Sequence, residues 1–192
     1  QIIISLNFSD QKLSIPAIAA TISKTKNQML SPTQYAEFVK NDFQQAVFKI
    51  YIEYEKFLKE IRALDFDDLL IKTLKLLQED KQTLNKWQQI LTHIFIDEWQ
   101  DTNKIQYLLI KLLVTPQTYL TTVGDAAQSI YSWRGADYKN INYLVRDFPK
   151  IEIINLEQNY RSTKNILNAA NSIITKNTSH PILKLWTENM IG

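Results

Sequence analysis

The sequence predicts an α/β protein built around a parallel sheet, with an all-helical segment ahead of it. Three observations carry that reading. Between positions 93 and 176 short apolar runs alternate with helical patterns, and the order strand, helix, strand, helix implies parallel strands joined by helical crossovers. Between positions 35 and 61 apolar residues recur at steps of three and four, the period of a helix buried along one stripe. The 192 residues, 45% hydrophobic and 11% aromatic, are enough to bury a core as one large domain or two small ones.

Composition narrows the chemistry. The absence of cysteine excludes disulfides and thiolate metal sites, and the two isolated histidines, His93 and His180, make no zinc pair, so any metal must be held by oxygen. A formal charge of +2 does not by itself point to nucleic acid. No apolar run approaches the roughly 20 residues of a bilayer span. The opening Gln1-Ile2-Ile3-Ile4 lacks the basic flank and cleavage site of a signal peptide, so a cytoplasmic location without a membrane partner is expected. A first residue other than Met, and a last segment (186–192) without an evident cap, are what an excised fragment would show.

Taken in order, residues 1–30 are mixed and rich in Ser, Thr and Lys around 21–27, a pattern of short helices and turns. Ser31-Pro32-Thr33-Gln34 places Ser at an N-cap, Pro at the first helical position and Gln at the third, which is a capping box. One long helix should follow, buried along Tyr35, Phe38, Val39, Ala46, Val47, Ile50, Tyr54, Phe57, Leu58 and Ile61. From Asp65 a helix runs through Leu69, Leu70, Thr73, Leu74 and Leu77, with a shorter one around Trp87. His93-Ile94-Phe95-Ile96-Asp97 reads as a buried strand, and 119–123 and 151–154 as two more, with helices at 104–114, 138–148 and 163–176. There is no internal repeat and no low-complexity tract.

Ligands of open parallel sheets bind beyond the carboxyl ends of the strands, so polar residues there are the first candidates for function. Ile94-Phe95-Ile96 ends abruptly in Asp97-Glu98, the pattern of a Walker B element. An Asp at such a tip can hold magnesium against nucleotide phosphates, while the next Glu polarises an attacking water. The alternative is that Asp97 or Asp101 simply caps the following helix. After the second strand come Gly124, Asp125 and Gln128, able to face the same cleft, then Tyr131, Trp133 and Arg134. An aromatic pair beside a guanidinium can stack on single-strand bases, at roughly 1–3 kcal/mol per stack, and the alternative is that both rings are core. A third cluster, Leu156-Glu157-Gln158-Asn159-Tyr160-Arg161-Ser162, offers Tyr160 for a flat base and Arg161 for a phosphate; a surface ion pair and a helix cap are the plainer readings.

In this order, the clusters at 97–103, 124–137 and 156–163 resemble motifs II, III and IV of superfamily 1 DNA helicases of the UvrD/Rep/PcrA type. The likeness extends through Leu64-Asp65-Phe66-Asp67-Asp68-Leu69-Leu70, the Ser31 helix start and Leu185-Trp186-Thr187-Glu188-Asn189, and so covers nearly the whole chain. It implies a partial RecA-like motor domain with an inserted helical subdomain: 1–63 as the insertion, 64–148 as the remainder of the first motor domain, and 149–192 as the start of the second. It implies ATP and Mg2+ as cofactors of the full-length parent, and single-stranded DNA and duplex junctions as partners. By the same resemblance Asp97 binds magnesium, Glu98 activates water and Gln128 senses the γ-phosphate. Tyr131 and Trp133 stack on bases, Arg134 links the DNA and ATP sites, Tyr160 stacks on adenine, and Arg161 acts as an arginine finger. Lys24, Lys26 and Asn27 become DNA-backbone contacts, with a solvated basic face as the alternative.

The chain departs from the pattern at Ala127, where many relatives carry Asp, and at Trp99, where Tyr is usual. It also lacks the Gly-x-x-x-x-Gly-Lys-Ser/Thr phosphate loop, because none of Gly124, Gly135 and Gly192 precedes Lys. The expectation is therefore an ATP-dependent 3′–5′ DNA helicase in the parent and an inactive isolated fragment. The alternatives are the motor part of a helicase–nuclease and a non-catalytic DNA-binding module.

Overall fold

The computed structural model describes residues 14–131, 136–137, 139–177 and 183–192. They form a mixed α/β structure, mostly helical, with one small parallel sheet. Helix α1 (Ile15–Asn27) starts at Ser14, whose side chain accepts from the Ala17 amide. The capping box at Ser31 forms as its residues predict, with Ser31 and Gln34 each satisfying the other's backbone amide. The helix it starts is short, however: α2 (Pro32–Tyr35) tightens into a 3-10 turn (Ala36–Phe38) and stops. Asn41 then caps a new helix, α3 (Asp42–Glu60), by accepting from the Gln44 amide. The single long helix expected across 35–61 is thus two, because the Asn41 side chain offers its own N-cap, which breaks the backbone although the apolar spacing continues through Val39, Phe43 and Ala46.

Helices α1 to α3 bury Ile18, Ile22, Tyr35, Val47, Ile50 and Tyr51 as one core. Helix α4 (Phe66–Glu79), capped by Asp65, packs against α1, and α5 (Lys81–Ile90) is capped by Asp80. Strand β1 (His93–Ile96) leads by a 3-10 turn (Trp99–Asp101) into α6 (Lys104–Leu113) and then β2 (Tyr119–Thr122). The strands run parallel, with His93 opposite Tyr119 and Ile96 opposite Thr122. Ile96 and Leu120 face a second core made of Trp99, Tyr107 and Leu144, the last on α7 (Asn140–Asp147).

The other sheet face is open. Phe95 is 74% and Tyr119 70% exposed, with the His93 ring stacked between them. The expected buried strand is therefore buried on one side, since α6 and α7 supply apolar cover to that side alone. Residues 151–154 form no strand: Ile153 and Ile154 are exposed and no ladder partner occurs among the described residues. Helix α8 (Lys164–Ile174) follows. No helix among the described residues is long and apolar enough to cross a membrane.

Two polar joints tie these layers. Asp147 accepts from the Tyr107 hydroxyl, Lys111 Nζ and Arg146 Nε, which fastens α7 to α6 and holds its carboxyl far below the usual range. Lys26 is the other joint. Its ammonium lies 2.6 Å from Glu55, 2.7 Å from Asp65 and 3.0 Å from Asp68, fastening α1 to α3 and α4. Burial alone pulls the Lys26 pKa down, but the three carboxylates outweigh it and push it up.

Candidate active site

Backbone hydrogen bonds carry the pairing of β1 and β2 past the strand ends. The Val123 amide donates to Ile96 and the Trp99 amide to Val123, which lays residues 97–99 beside 123–124. Asp97 and Glu98 are exposed at that end. Glu98 has φ 49° and ψ 46°, the left-handed region that costs an ordinary residue of order 1–3 kcal/mol and persists only where surroundings impose it. Asp97 Oδ1 accepts from the Glu98 amide at 2.8 Å, and its second oxygen makes no hydrogen bond among the described residues.

A side chain not singled out in the sequence holds the centre of the site. Gln100 is 1% exposed; its Nε2 donates to Glu98 Oε2 at 2.7 Å and its Oε1 accepts from the Asp125 amide at 2.9 Å. Asp125 in turn accepts from the Ala127 amide and from Gln128 Nε2, each at 2.9 Å. Glu98 and Gln128, drawn from two strand ends, thus sit at the two ends of one hydrogen-bonded chain. Gly124 makes room for it: a Cβ there would lie 2.8 Å from Gln100 Oε1 and 3.0 Å from Trp99 Cβ. The signal that could have found Gln100 is an amide side chain two residues beyond an acidic pair that caps no helix, visible only once the helix cap is assigned elsewhere.

That cap is Asn103, which forms a capping box with Gln106 and relieves Asp97 and Asp101 of the task. Trp99 packs edge-on against Tyr107 in the core. Thr102 and Asn103 also hold the segment beyond Tyr131. Asn103 bridges to Ala136, the Asp137 amide donates to the Thr102 carbonyl, and buried Asn140 donates to Thr102 at 2.8 and 3.0 Å. Tyr131 is 39% exposed, while Trp133 and Arg134 lie outside the described residues.

Tyr160 and Arg161 form a separate cluster. Asn159 Oδ1 accepts from the amides of Arg161 and Ser162, and Trp186 and Asn189 hold the turn through Glu157, Asn159, Tyr160 and Ser162. Tyr160, 77% exposed, donates to Gln158, and Arg161 is exposed.

Of the residues expected to touch a DNA backbone, only Lys24 is exposed. Lys26 is 2% exposed and consumed by its three carboxylates, so the expected phosphate contact is corrected to a structural one. Asn27 is likewise engaged: its amide donates to Ser23 and Asp67, and its oxygen accepts from Asn103. A cavity of about 320 Å³ opens at the other ends of the strands, between Gln88, Thr92, Thr115 and Thr118, away from all these groups.

The donor set at the strand tips fits magnesium, which takes hard oxygen ligands and commonly only one or two protein carboxylates besides phosphate and water. Asp97, exposed and with one oxygen uncommitted, has the chemistry such a ligand needs.

Comparison with known sequences places the chain in a family. The profile of the UvrD/REP helicase N-terminal domain matches residues 2–149, and that of the UvrD-like helicase C-terminal domain matches 154–192. The chain belongs to the UvrD/REP helicase family. It is 43% identical, over all of its length, to an ATP-dependent DNA helicase PcrA of Leuconostoc citreum, and 42% identical over 97% of its length to that of Bacillus subtilis (strain 168). A Staphylococcus epidermidis PcrA is 44% identical over 98%. The chain spans about a quarter of the length of these relatives, 26%, 25% and 26% respectively.

Proposed function

We propose that the full-length protein containing this chain is an ATP-dependent DNA helicase that translocates 3′ to 5′ on single-stranded DNA and opens duplex junctions. Residues 1–63 are its helical insertion, 64–148 part of the first motor domain, and 149–192 the start of the second. The observation that carries this reading is the pairing of Asp97-Glu98 with Gln128 at adjacent parallel strand ends, joined through Gln100 and Asp125. The names of the relatives support it.

Bound magnesium would supply positive charge against the transferring phosphoryl group. Asp97 would hold that ion, Glu98 would orient and polarise the attacking water, and Gln128 would turn from Asp125 toward the γ-phosphate. Arg161, fixed by the Asn159 turn, reaches the same phosphate from the second motor domain, with Tyr160 stacking on adenine. Tyr131, Trp133 and Arg134 take the DNA. The bonds from Thr102 and Asn103 to Ala136, Asp137 and Asn140 favour coupling, because they tie the segment after Glu98 to residues that closely follow Trp133 and Arg134 in the chain.

The test is single-strand-stimulated ATP hydrolysis by the full-length protein. Glu98→Gln should lower turnover by roughly 10²–10⁴-fold while nucleotide binding persists, and Trp133→Ala should weaken stimulation by DNA. Unwinding should require a 3′ rather than a 5′ single-stranded tail. Turnover undiminished in Glu98→Gln, or unwinding from a 5′ tail alone, refutes the corresponding part. The 192-residue chain by itself, without a phosphate loop, should hydrolyse no ATP.

A further inference from the structure

We propose that Gln100 is a positioning residue for hydrolysis: its amide fixes the Glu98 carboxylate while its carbonyl oxygen holds the backbone that carries Gln128. The inference rests on the reading of Glu98 as the group that polarises water. Glu98 is exposed and sits in an unfavourable backbone conformation, so nothing about its own residue type fixes the direction of its carboxylate. Gln100 does. It is almost fully buried, and both ends of its amide are used, the NH2 on Glu98 Oε2 and the oxygen on the Asp125 amide.

The residue type matters because only an amide of this length donates at one end and accepts at the other. A carboxylate could accept from Asp125 but could not donate to Glu98. An apolar chain could do neither and would leave the Asp125 amide without its partner. The Gln100 backbone is anchored too, since its carbonyl accepts from Ser129 Oγ at 3.4 Å. Gly124 packs so closely on this amide that a Cβ there would lie 2.8 Å from Oε1.

The experiment measures ATP hydrolysis by the full-length protein at saturating single-stranded DNA. Gln100→Glu keeps the shape and the acceptor and removes the donor; Gln100→Leu removes both. Each should lower kcat roughly 100-fold, the scale of a misplaced reacting group, with KM for ATP held within about twofold, as expected when ground-state binding is intact. In a Glu98→Gln background, followed by single-turnover hydrolysis, the same substitutions should cost less than about threefold more, because residues acting as one unit are non-additive. Gln100→Glu carries the test if Gln100→Leu fails to fold.

Unchanged kcat, a rise in KM matching the loss, or a full additional loss in the Glu98→Gln background each overturns the proposal. If Glu98→Gln itself turns over normally, the reading of the site falls first. If Glu98→Gln is strongly impaired and the Gln100 variants are normal, the Gln100 proposal alone falls.

Discussion

The Asn103 side-chain amide donates to Asn27 Oδ1 at 2.9 Å, across 76 residues of sequence. One partner is the last residue of α1, and the other caps the helix that follows Asp97-Glu98. Asn27 also donates to Asp67 on α4, so a single side chain braces the helical segment against the strand-end site. Asn27→Ala should destabilise the chain by about 1–2 kcal/mol through the loss of these half-buried bonds. Combined with Asn103→Ala it should show a coupling of about 0.5–1.5 kcal/mol, as contacting residues do. Urea midpoints of the two single variants and the double variant measure it, and strict additivity would contradict the brace.

Lys26 illustrates how a basic residue can be legible in sequence while its role is not. Within Lys24-Thr25-Lys26-Asn27 both lysines look like surface charges, yet the helical turn points Lys24 outward and Lys26 into a nest of carboxylates. Lys26→Met should cost about 3–5 kcal/mol, because breaking a buried pair strands its partners. Lys24→Met should stay within about 0.5 kcal/mol, as surface changes do. Chemical denaturation of the two variants side by side decides between a structural Lys26 and a solvent-facing one.

The same nest sets a pH dependence. Burial by itself raises the Asp65 pKa, but the hydrogen bond from Lys26 and that from the Asp68 amide outweigh it, leaving it below the ordinary 3.8. A carboxyl whose pKa is lower in the folded chain contributes stability that is present above its unfolded value, near pH 4, and lost as pH falls through the folded one. Lys26, raised in the fold, contributes in the opposite sense: fully below about pH 10.4, and progressively less above it. Stability should therefore be flat with respect to this cluster at neutral pH and fall on both sides. Asp65→Asn should lower the plateau and flatten the acid limb below about pH 4. An acid limb with the wild-type slope in that variant would exclude Asp65 as its source.

What the sequence made legible follows from how local each determinant is. The helices at Phe66–Glu79 and Lys104–Leu113 and the parallel strands show in apolar spacing and strand-end acids, because those are properties of consecutive residues. The break at Asn41 competed with a continuous apolar stripe and needed the cap to be weighed against it. The burial of Lys26 and the bond that Gln100 accepts from the Asp125 amide depend on residues 25 to 42 positions away, which no local pattern encodes. Trp99, an aromatic inside an otherwise polar motif, is the intermediate case, since its burial becomes evident only from Tyr107 and Leu144 beyond it.

Gly124 provides the sharpest steric test of the site. A glycine leaving a strand is ordinarily read as a turn residue, but here the demand is close approach: an added Cβ would meet Gln100 Oε1 at 2.8 Å, Trp99 Cβ at 3.0 Å and the Trp99 amide nitrogen at 3.1 Å. None of these neighbours yields easily, because Trp99 is buried and bonded to Val123 through its amide, and Gln100 is bonded at both ends. Gly124→Ala should therefore cost about 1–3 kcal/mol, the range for overpacking a filled site. Gln100→Ala removes part of the obstruction, so the Gly124→Ala, Gln100→Ala pair should lose less than the sum of its parts by at least about 0.5 kcal/mol. The residual loss belongs to Trp99, whose backbone cannot retreat without breaking the bond that carries β1 and β2 past their ends. Denaturation of the three variants gives the answer; a Gly124→Ala chain as stable as the wild type would mean that the strand ends are not packed this closely.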